Sequence, residues 1–214
     1  MKRQIALLLS TALAMGLPGL ASANAEHATS TTAAVTVAGT QAALRDLWLG
    51  HVFWVRNVVD ARFEGDANEA KVAEQQVVAN AKAIAASIAP FYGQAAADQM
   101  FGLLAGHWGA ISGYLDATRA GNAQAADAAF SKLVANAGEI SKFLSSANPN
   151  LPFDTLQGLL VAHGAHHVQQ IKEFRAGQYE QEAKTWAAMK DHMYVIADAL
   201  GGAIARQFPA KFST

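Results

Sequence analysis

The segment GLLVAHGAHHVQQ, residues 158–170, contains three histidines within five consecutive positions. They are His163, His166 and His167, and the whole chain has only seven histidines. Imidazole is the commonest metal-binding side chain; it binds through a neutral ring nitrogen while its other nitrogen is held by a hydrogen-bond acceptor. His163 and His167 are four residues apart, so on a helix they would share one face and could chelate one ion. The segment therefore indicates a candidate metal site.

A spacing of 56 residues singles out His163 from this cluster. GLLVAH at 158–163 resembles GLLAGH at 102–107, and RAG at 119–121 returns at 175–177. A weaker match, LWLGH at 47–51, lies another 56 residues earlier. His51, His107 and His163 thus occupy equivalent positions, which predicts a threefold internal repeat of helical hairpins. His166 and His167 have no histidine counterparts in the other two copies.

The second half of each predicted hairpin has a polar position of its own, occupied by Asn80, Asn136 and His192. At about 1.5 Å per residue, each lies as far from the turn of its hairpin as the histidine of the first half does. Apolar residues three and four positions away place all six polar residues on the buried face of their helices. A buried polar group without a partner costs about 1–3 kcal/mol, so these residues need partners: each other, water or a ligand.

The elements that position these residues are predicted to be helices throughout. Apolar residues recur at intervals of three and four from Gln41 onward, and glycines at 65, 121 and 177 are typical of helix C-termini. We predict an all-α fold, a six-helix bundle built from three hairpins of about 56 residues each. The predicted helical segments are 41–64, 66–89, 94–120, 122–146, 152–176 and 178–207.

The chain begins with the features of an export signal. Residues 1–25 combine Lys2 and Arg3, an apolar run and the small-residue exit Ala23-Asn24-Ala25, so we predict a cleaved signal peptide. Residues 26–40 are small, Thr-rich and without periodicity, and are predicted to form a flexible lead to a helical domain at 41–214. The short, Ala-rich signal favours a bacterial periplasm, with secretion to the medium as the other destination.

Composition excludes several classes of function. Removing the predicted signal leaves 14 basic and 17 acidic residues, a formal charge of −3 that argues against nucleic-acid binding. The absence of cysteine excludes disulfides, thiolate ligands and covalent haem attachment. No later apolar run reaches the ~18 residues that a membrane span requires. Catalytic triads, phosphate loops and dinucleotide motifs are also missing, so the sequence leans against an enzyme.

The candidate metal ligands are His51, His107, His163, His167 and His192. If the hairpins pack around a common axis, these imidazoles could surround one ion, for which Zn(II) or copper is favoured and iron is possible. If the hairpins stack as an open solenoid, the histidines form a ladder with neighbours on the order of 10 Å apart, which excludes a shared ion. Two alternatives stay open: a haem or tetrapyrrole binder, and a structural or interaction module whose His/Asn network only sets the hairpin register. A protein partner is not indicated.

Three motifs carry a resemblance to other proteins. LWLGHVFWVR, FLSSANPN and the closing QFPAKF resemble a group of uncharacterised bacterial exported helical proteins. The resemblance extends from about residue 44 to the end of the chain, and no activity is established for the group. It implies a helical fold, and it implies that His166 and His167 are peculiar to this sequence.

Overall fold

The computed structural model describes residues 35–213, and the predicted signal peptide lies outside the described residues. The described residues form six α-helices followed by a short 3-10 turn, and helix accounts for most of them. The helices are α1 (Val37–Glu64), α2 (Ala67–Tyr92), α3 (Gln94–Arg119), α4 (Ala123–Ala147), α5 (Phe153–Ala176) and α6 (Tyr179–Gln207). The all-α six-helix bundle predicted from the sequence is confirmed.

Local sequence sets the helix ends, which differ from the predicted ones by a few residues. Helix α1 starts early because the Thr36 hydroxyl caps it, accepting a hydrogen bond from the amide of Gly39. Residues 37–40 are therefore helical instead of belonging to the predicted flexible lead, and residues 26–34 lie outside the described part of the chain. Helix α2 continues past Pro90 to Tyr92, since a proline in the last turn removes only one amide donor.

The turn inside each hairpin has the predicted glycine. Gly65, Gly121 and Gly177 all have positive φ angles of 83°, 69° and 66°, a conformation that favours glycine over residues with a Cβ atom. After each glycine, the next backbone amide bonds to the carbonyl five residues earlier: 66 to 61, 122 to 117 and 178 to 173. Each turn is thus a helix C-terminal motif in which backbone amides donate hydrogen bonds to carbonyls in the last turn of the first helix.

The hairpins form a closed ring and not an open ladder. Each helix packs against the next one in the chain, and α6 packs back against α1. Helix α5 also contacts α1 and α3, which brings the first helices of the hairpins together inside the bundle. Two ion pairs join α1 to α6, Arg45 to Asp198 and Arg56 to Glu182. The closed arrangement meets the geometric condition for histidines of different hairpins to converge.

The buried apolar residues of the described chain fall into two clusters. One cluster includes Trp48, Leu104, Leu160 and Met193 and lies toward the end of the bundle where α1 begins. The other includes Val55, Ile111, Leu133 and Ile171 and lies toward the hairpin turns. On α1, α3 and α5, His51, His107 and His163 lie between members of the two clusters. The histidines therefore form a polar layer that divides the hydrophobic core.

Within residues 35–213, none of the helices combines the length and the apolar composition needed to cross a membrane.

Candidate metal centre

Four histidines from three helices meet in the polar layer. His51 comes from α1, His107 from α3, and His163 and His167 from successive turns of α5. Each of them offers one ring nitrogen, and these four nitrogens all lie within 4.8 Å of one another. The ring centroids are 4.6 to 6.2 Å apart, so all six pairs of rings are neighbours. We refer to these four residues as the histidine group.

The histidine group is shut off from solvent. Its side chains are 2 to 4% exposed. Among the described residues, Nε2 of every member is buried without a hydrogen-bond partner, and so is Nδ1 of His163. Buried polar atoms are nearly always paired, because leaving one unpaired costs about 1–3 kcal/mol. Five ring nitrogens without a protein partner in one place are compatible with a site that holds a ligand.

The histidine group is also held in the neutral state. Burial lowers the pKa of His51 to about 3, with a further contribution from the neighbouring His107. Burial likewise lowers the pKa of His107 to about 4, although its bond to Asn136 opposes the shift. Burial and the other imidazoles hold the pKa values of His163 and His167 well below the ordinary value. Near neutral pH each ring therefore has one nitrogen lone pair available to a metal ion.

Asn136 fixes which nitrogen of His107 carries the proton. The Asn136 amide nitrogen donates to the Leu103 carbonyl at 3.0 Å, so its oxygen is the atom that faces His107. That oxygen lies 3.2 Å from Nδ1 of His107 and can only accept a hydrogen bond. Nδ1 must therefore carry the hydrogen, and the lone pair is on the unpaired Nε2. A metal-binding histidine is usually oriented in this way, by an acceptor on its far nitrogen.

The contact to a backbone carbonyl recurs in all three hairpins. The Asn80 amide donates to the carbonyl of Leu47 at 2.9 Å, and Nε2 of His192 donates to the carbonyl of Leu159 at 2.8 Å. In each of these bonds the donor residue comes 33 positions after the acceptor residue, as it does in the bond between Asn136 and Leu103. The donors and the acceptors are each spaced by 56 residues along the chain. This recurrence supports the threefold repeat, which remains a prediction from the sequence. Asn80 differs from Asn136 in that its oxygen has no partner among the described residues.

The structure separates the predicted ligands into two sets. His51, His107, His163 and His167 belong to the histidine group, with His167 as the member that lacks histidine counterparts in the repeat. His192 lies outside the group, partly exposed, with its ring 5.3 Å from that of His166. The fourth position around the common centre is thus taken by His167. His166 is also only partly buried.

A second buried polar cluster, which was not predicted from the sequence, lies nearer the turn between α5 and α6. Glu182 is 1% exposed and binds both Arg56, through two 2.7 Å bonds, and the side chain of Gln170 at 2.9 Å. Glu173 is equally buried; it accepts from Gln169 and Thr185, and its Oε2 has no partner within residues 35–213. Its sequence signal is the break in the apolar pattern of α5 at residues 170 and 173.

The histidine group could hold a small, four-coordinate ion with modest movement. In a tetrahedral site with Zn–N bonds of 2.0–2.1 Å, ligand nitrogens are about 3.3 Å apart. The nitrogens of the group lie within 4.8 Å of one another, so the rings would have to move closer by up to about 1.5 Å to bind such an ion. Neutral imidazole is a ligand for zinc, copper, iron and nickel. Within residues 35–213, all four members of the histidine group are imidazoles and none is a carboxylate.

Comparison of the chain with protein-family models, with curated proteins and with solved structures finds no significant match. The candidate site therefore rests on the chain's own geometry, and the resemblance of its motifs to exported helical proteins stays a prediction.

Proposed function

We propose that this protein binds a transition-metal ion, Zn(II) or copper, through His51, His107, His163 and His167. The observation that carries the proposal is the meeting of four buried, neutral imidazoles with unpaired Nε2 atoms inside one bundle. A structural network would be expected to satisfy its own hydrogen bonds, because buried polar groups in native proteins almost always find partners. Among residues 35–213, only His107 has a side-chain partner for the nitrogen that faces away from the group.

The donor set narrows the choice of ion. Zn(II) and Cu(I) both have filled d shells and accept four nitrogen ligands without a strong geometric preference. Four neutral imidazoles leave the full charge of the ion in a buried site, and burying net charge is costly. Cu(I) leaves one uncompensated charge in the site, whereas Zn(II) leaves two. The cost of burying charge therefore favours Cu(I) over Zn(II) wherever copper is kept in its reduced state. Iron is a weaker candidate because the group supplies no carboxylate oxygen.

The geometry favours an ion over a tetrapyrrole. The four rings are in mutual contact, with centroids at most 6.2 Å apart, which leaves no slot for a flat macrocycle between them. The apolar half of the core next to Trp48 has an internal cavity of about 30 Å³. Sites for ligands of drug size usually occupy about 300–1,000 Å³.

We propose that the protein binds its metal ion in the periplasm, and the signal peptide predicted from residues 1–25 supports this location. The proposed location depends on residues 1–25, which lie outside the described part of the chain. Processing is tested by mass spectrometry of the protein expressed with its own N-terminus: cleavage after Ala25 is expected, and an intact N-terminus in the mature protein would contradict it.

Metal binding is tested by elemental analysis and equilibrium titration of untagged protein, because a polyhistidine tag would bind the same ions. The purified protein should hold one equivalent of zinc or copper, directly or after loading with Zn(II) or Cu(I). His107→Leu should abolish tight binding. His27→Gln is the matched control, since it removes one histidine outside the histidine group and should behave like the wild type. Less than a tenth of an equivalent of every ion after loading would refute the proposal.

A specific Soret band after addition of haemin, lost in His107→Leu, would instead support the tetrapyrrole alternative. A protein that neither binds an ion nor changes its melting temperature with any of these ligands would support the structural alternative.

A further inference from the structure

Two more histidines lie next to the histidine group, at the seam between α5 and α6. His166 and His192 face each other with ring centroids 5.3 Å apart and an angle of 57° between the ring planes. Both side chains are partly exposed, whereas every member of the histidine group is buried. We call these two residues the outer pair. They are the remaining histidines of the described chain, and the proposed metal site does not use them.

Each member of the outer pair offers a nitrogen to a ligand. Nε2 of His192 donates to the Leu159 carbonyl at 2.8 Å, so this nitrogen carries the hydrogen and Nδ1 has the lone pair. Nδ1 of His166 is buried and has no hydrogen-bond partner among residues 35–213. Two imidazoles at this separation, one from each of two helices, form a chelating pair for a transition-metal ion.

The outer pair adjoins the histidine group along α5. His163 and His166 are three residues apart on this helix, and side chains at that spacing are neighbours on a helix surface. His192 donates to the carbonyl of Leu159, which lies about one turn before His163 on the same helix. Both members of the outer pair are thus placed beside His163, whose two ring nitrogens have no partner among the described residues. The outer pair therefore lies between the partly exposed seam and a ligand of the histidine group.

We propose that the outer pair takes the metal ion from solvent and passes it to the histidine group. This inference rests on the proposed function. An ion in water must lose its hydration shell before it can enter a dry interior, and losing all of it in one step carries a large desolvation penalty. At the outer pair, His166 and His192 replace some of the waters while others remain. His163 and His167 then replace the rest, and the ion never stands without ligands.

A path of this kind changes rates without changing the equilibrium. The free energy of the ion in the histidine group does not depend on the route that it took. Removing the outer pair should therefore slow loading and removal by the same factor and leave the dissociation constant unchanged. If the outer pair instead supplied ligands to the final site, its removal would weaken the affinity.

The chain itself supplies the substitutions for the test. The positions equivalent to His192 in the other hairpins are Asn80 and Asn136, whose amides make the same bond to a backbone carbonyl. His192→Asn therefore removes the imidazole and keeps the hydrogen bond to Leu159. The position equivalent to His166 in the second hairpin is Ala110, so His166→Ala gives the third hairpin a residue that the second already has.

The experiment compares the wild type, His166→Ala/His192→Asn, and His27→Gln as a histidine-removal control. Stopped-flow measures the transfer of Zn(II) from a fluorescent chelator to the apoprotein and its removal by excess EDTA; Cu(I) with a bicinchoninate reporter is measured in parallel. We expect both rates of the double variant to fall about tenfold or more, with the dissociation constant within about threefold of the wild type. Circular dichroism and thermal melting of the apoproteins confirm that the fold is retained.

Three outcomes would overturn the inference. Loading and removal at wild-type rates would show that the ion takes another route. A loss of affinity without a matching change in the loading rate would make the outer pair part of the final site. Failure of the wild type itself to bind Zn(II) or Cu(I) would refute the proposed function, and this inference with it.

Discussion

The side-chain oxygen of Asn136 on α4 accepts a hydrogen bond of 3.2 Å from Nδ1 of His107 on α3. This contact orients the ring and leaves Nε2 directed at the other imidazoles without a partner among the described residues. The two residues are 29 positions apart and belong to the same hairpin. The hairpin thus supplies both a proposed metal ligand and the group that sets its tautomer, which is a usual arrangement at protein metal sites.

Removing this acceptor should weaken metal binding. Asn136→Ala takes away the oxygen that holds Nδ1–H of His107, and losses of this kind typically reduce metal affinity by about 10–100-fold. Asn80→Ala is the matched control, because Asn80 makes the same bond to a backbone carbonyl but its oxygen has no partner in the described chain. Competition titration with a chelator measures both. Equal effects of the two substitutions would contradict the proposed role of Asn136.

The stability of the metal-free protein should fall as the solution is acidified from pH 6.5. His51 and His107 have native pKa values of about 3 and about 4, whereas an unfolded histidine has a pKa of about 6.5. Below pH 6.5 the unfolded state binds more protons than the native state, so protonation favours unfolding; above it the stabilisation is fully present. Each of these two histidines should contribute about 1.4 kcal/mol per pH unit between pH 6 and 5.

Urea denaturation at pH 7, 6 and 5 measures this dependence. His107→Leu should reduce the dependence of the unfolding free energy on pH by the contribution of one histidine, and His27→Gln should leave this dependence unchanged. The window above pH 5 is chosen because most carboxylates titrate below it. A flat profile between pH 7 and 5 would show that the imidazoles are not held neutral in the native state.

The sequence predicts the helices and the polar layer well, because both depend on local patterns. Gly65, Gly121 and Gly177 end helices in the positive-φ conformation that glycine permits. The expected buried positions of His51, His107 and His163 follow from apolar neighbours three and four residues away, and all three are buried.

Closure of the ring could not be predicted from the repeat, since a solenoid and a ring present the same pattern of local contacts. The only sequence feature related to closure is a set of charges that do not follow the 56-residue pattern. Arg45 on α1 pairs with Asp198 on α6, and Arg56 on α1 pairs with Glu182 on α6. The equivalent positions of the other hairpins lack these charges. Which histidine would complete the group was also beyond the sequence. His167 and His192 are both near His163, and only the packing of α5 against α1 and α3 selects His167.

His163 should destabilise the metal-free protein. Both of its ring nitrogens are buried without partners in the described part of the chain. Replacing it with leucine removes two unsatisfied polar atoms, so His163→Leu should raise the free energy of unfolding of the apoprotein by about 1–3 kcal/mol. Urea denaturation in the presence of a chelator measures the change. A destabilised His163→Leu apoprotein would indicate that the ring makes favourable contacts that leucine does not replace.

Metal should offset most of this difference in stability. Zn(II) at 100 times its dissociation constant should stabilise the wild type by about 2.7 kcal/mol, which corresponds to a rise in melting temperature of roughly 5–11 °C for a domain of this size. His163→Leu retains three of the four ligands, and the shift should be much smaller. His27→Gln serves as the control with a wild-type shift. Equal shifts in all three proteins would place the bound ion elsewhere.

The Arg56–Glu182 pair should contribute far more to closure of the ring than the Arg45–Asp198 pair. Both join α1 to α6, but the side chain of Glu182 is 2% exposed, whereas the side chains of Arg45 and Asp198 are 46% and 34% exposed. Arg56→Met leaves a carboxylate buried beside Gln170 without its cation, which typically costs about 3–5 kcal/mol. Arg45→Met removes a solvent-screened pair, and little measurable change is expected.

Chemical denaturation of the two single variants measures the contrast, and the double variant Arg56→Met/Glu182→Met shows its origin. An apolar pair of similar volume removes the unpaired charge, so the double variant should recover most of the stability that Arg56→Met loses. That recovery would show that the cost comes from leaving Glu182 without its cation. Equal losses for Arg56→Met and Arg45→Met would instead show that burial does not distinguish the two contacts between α1 and α6.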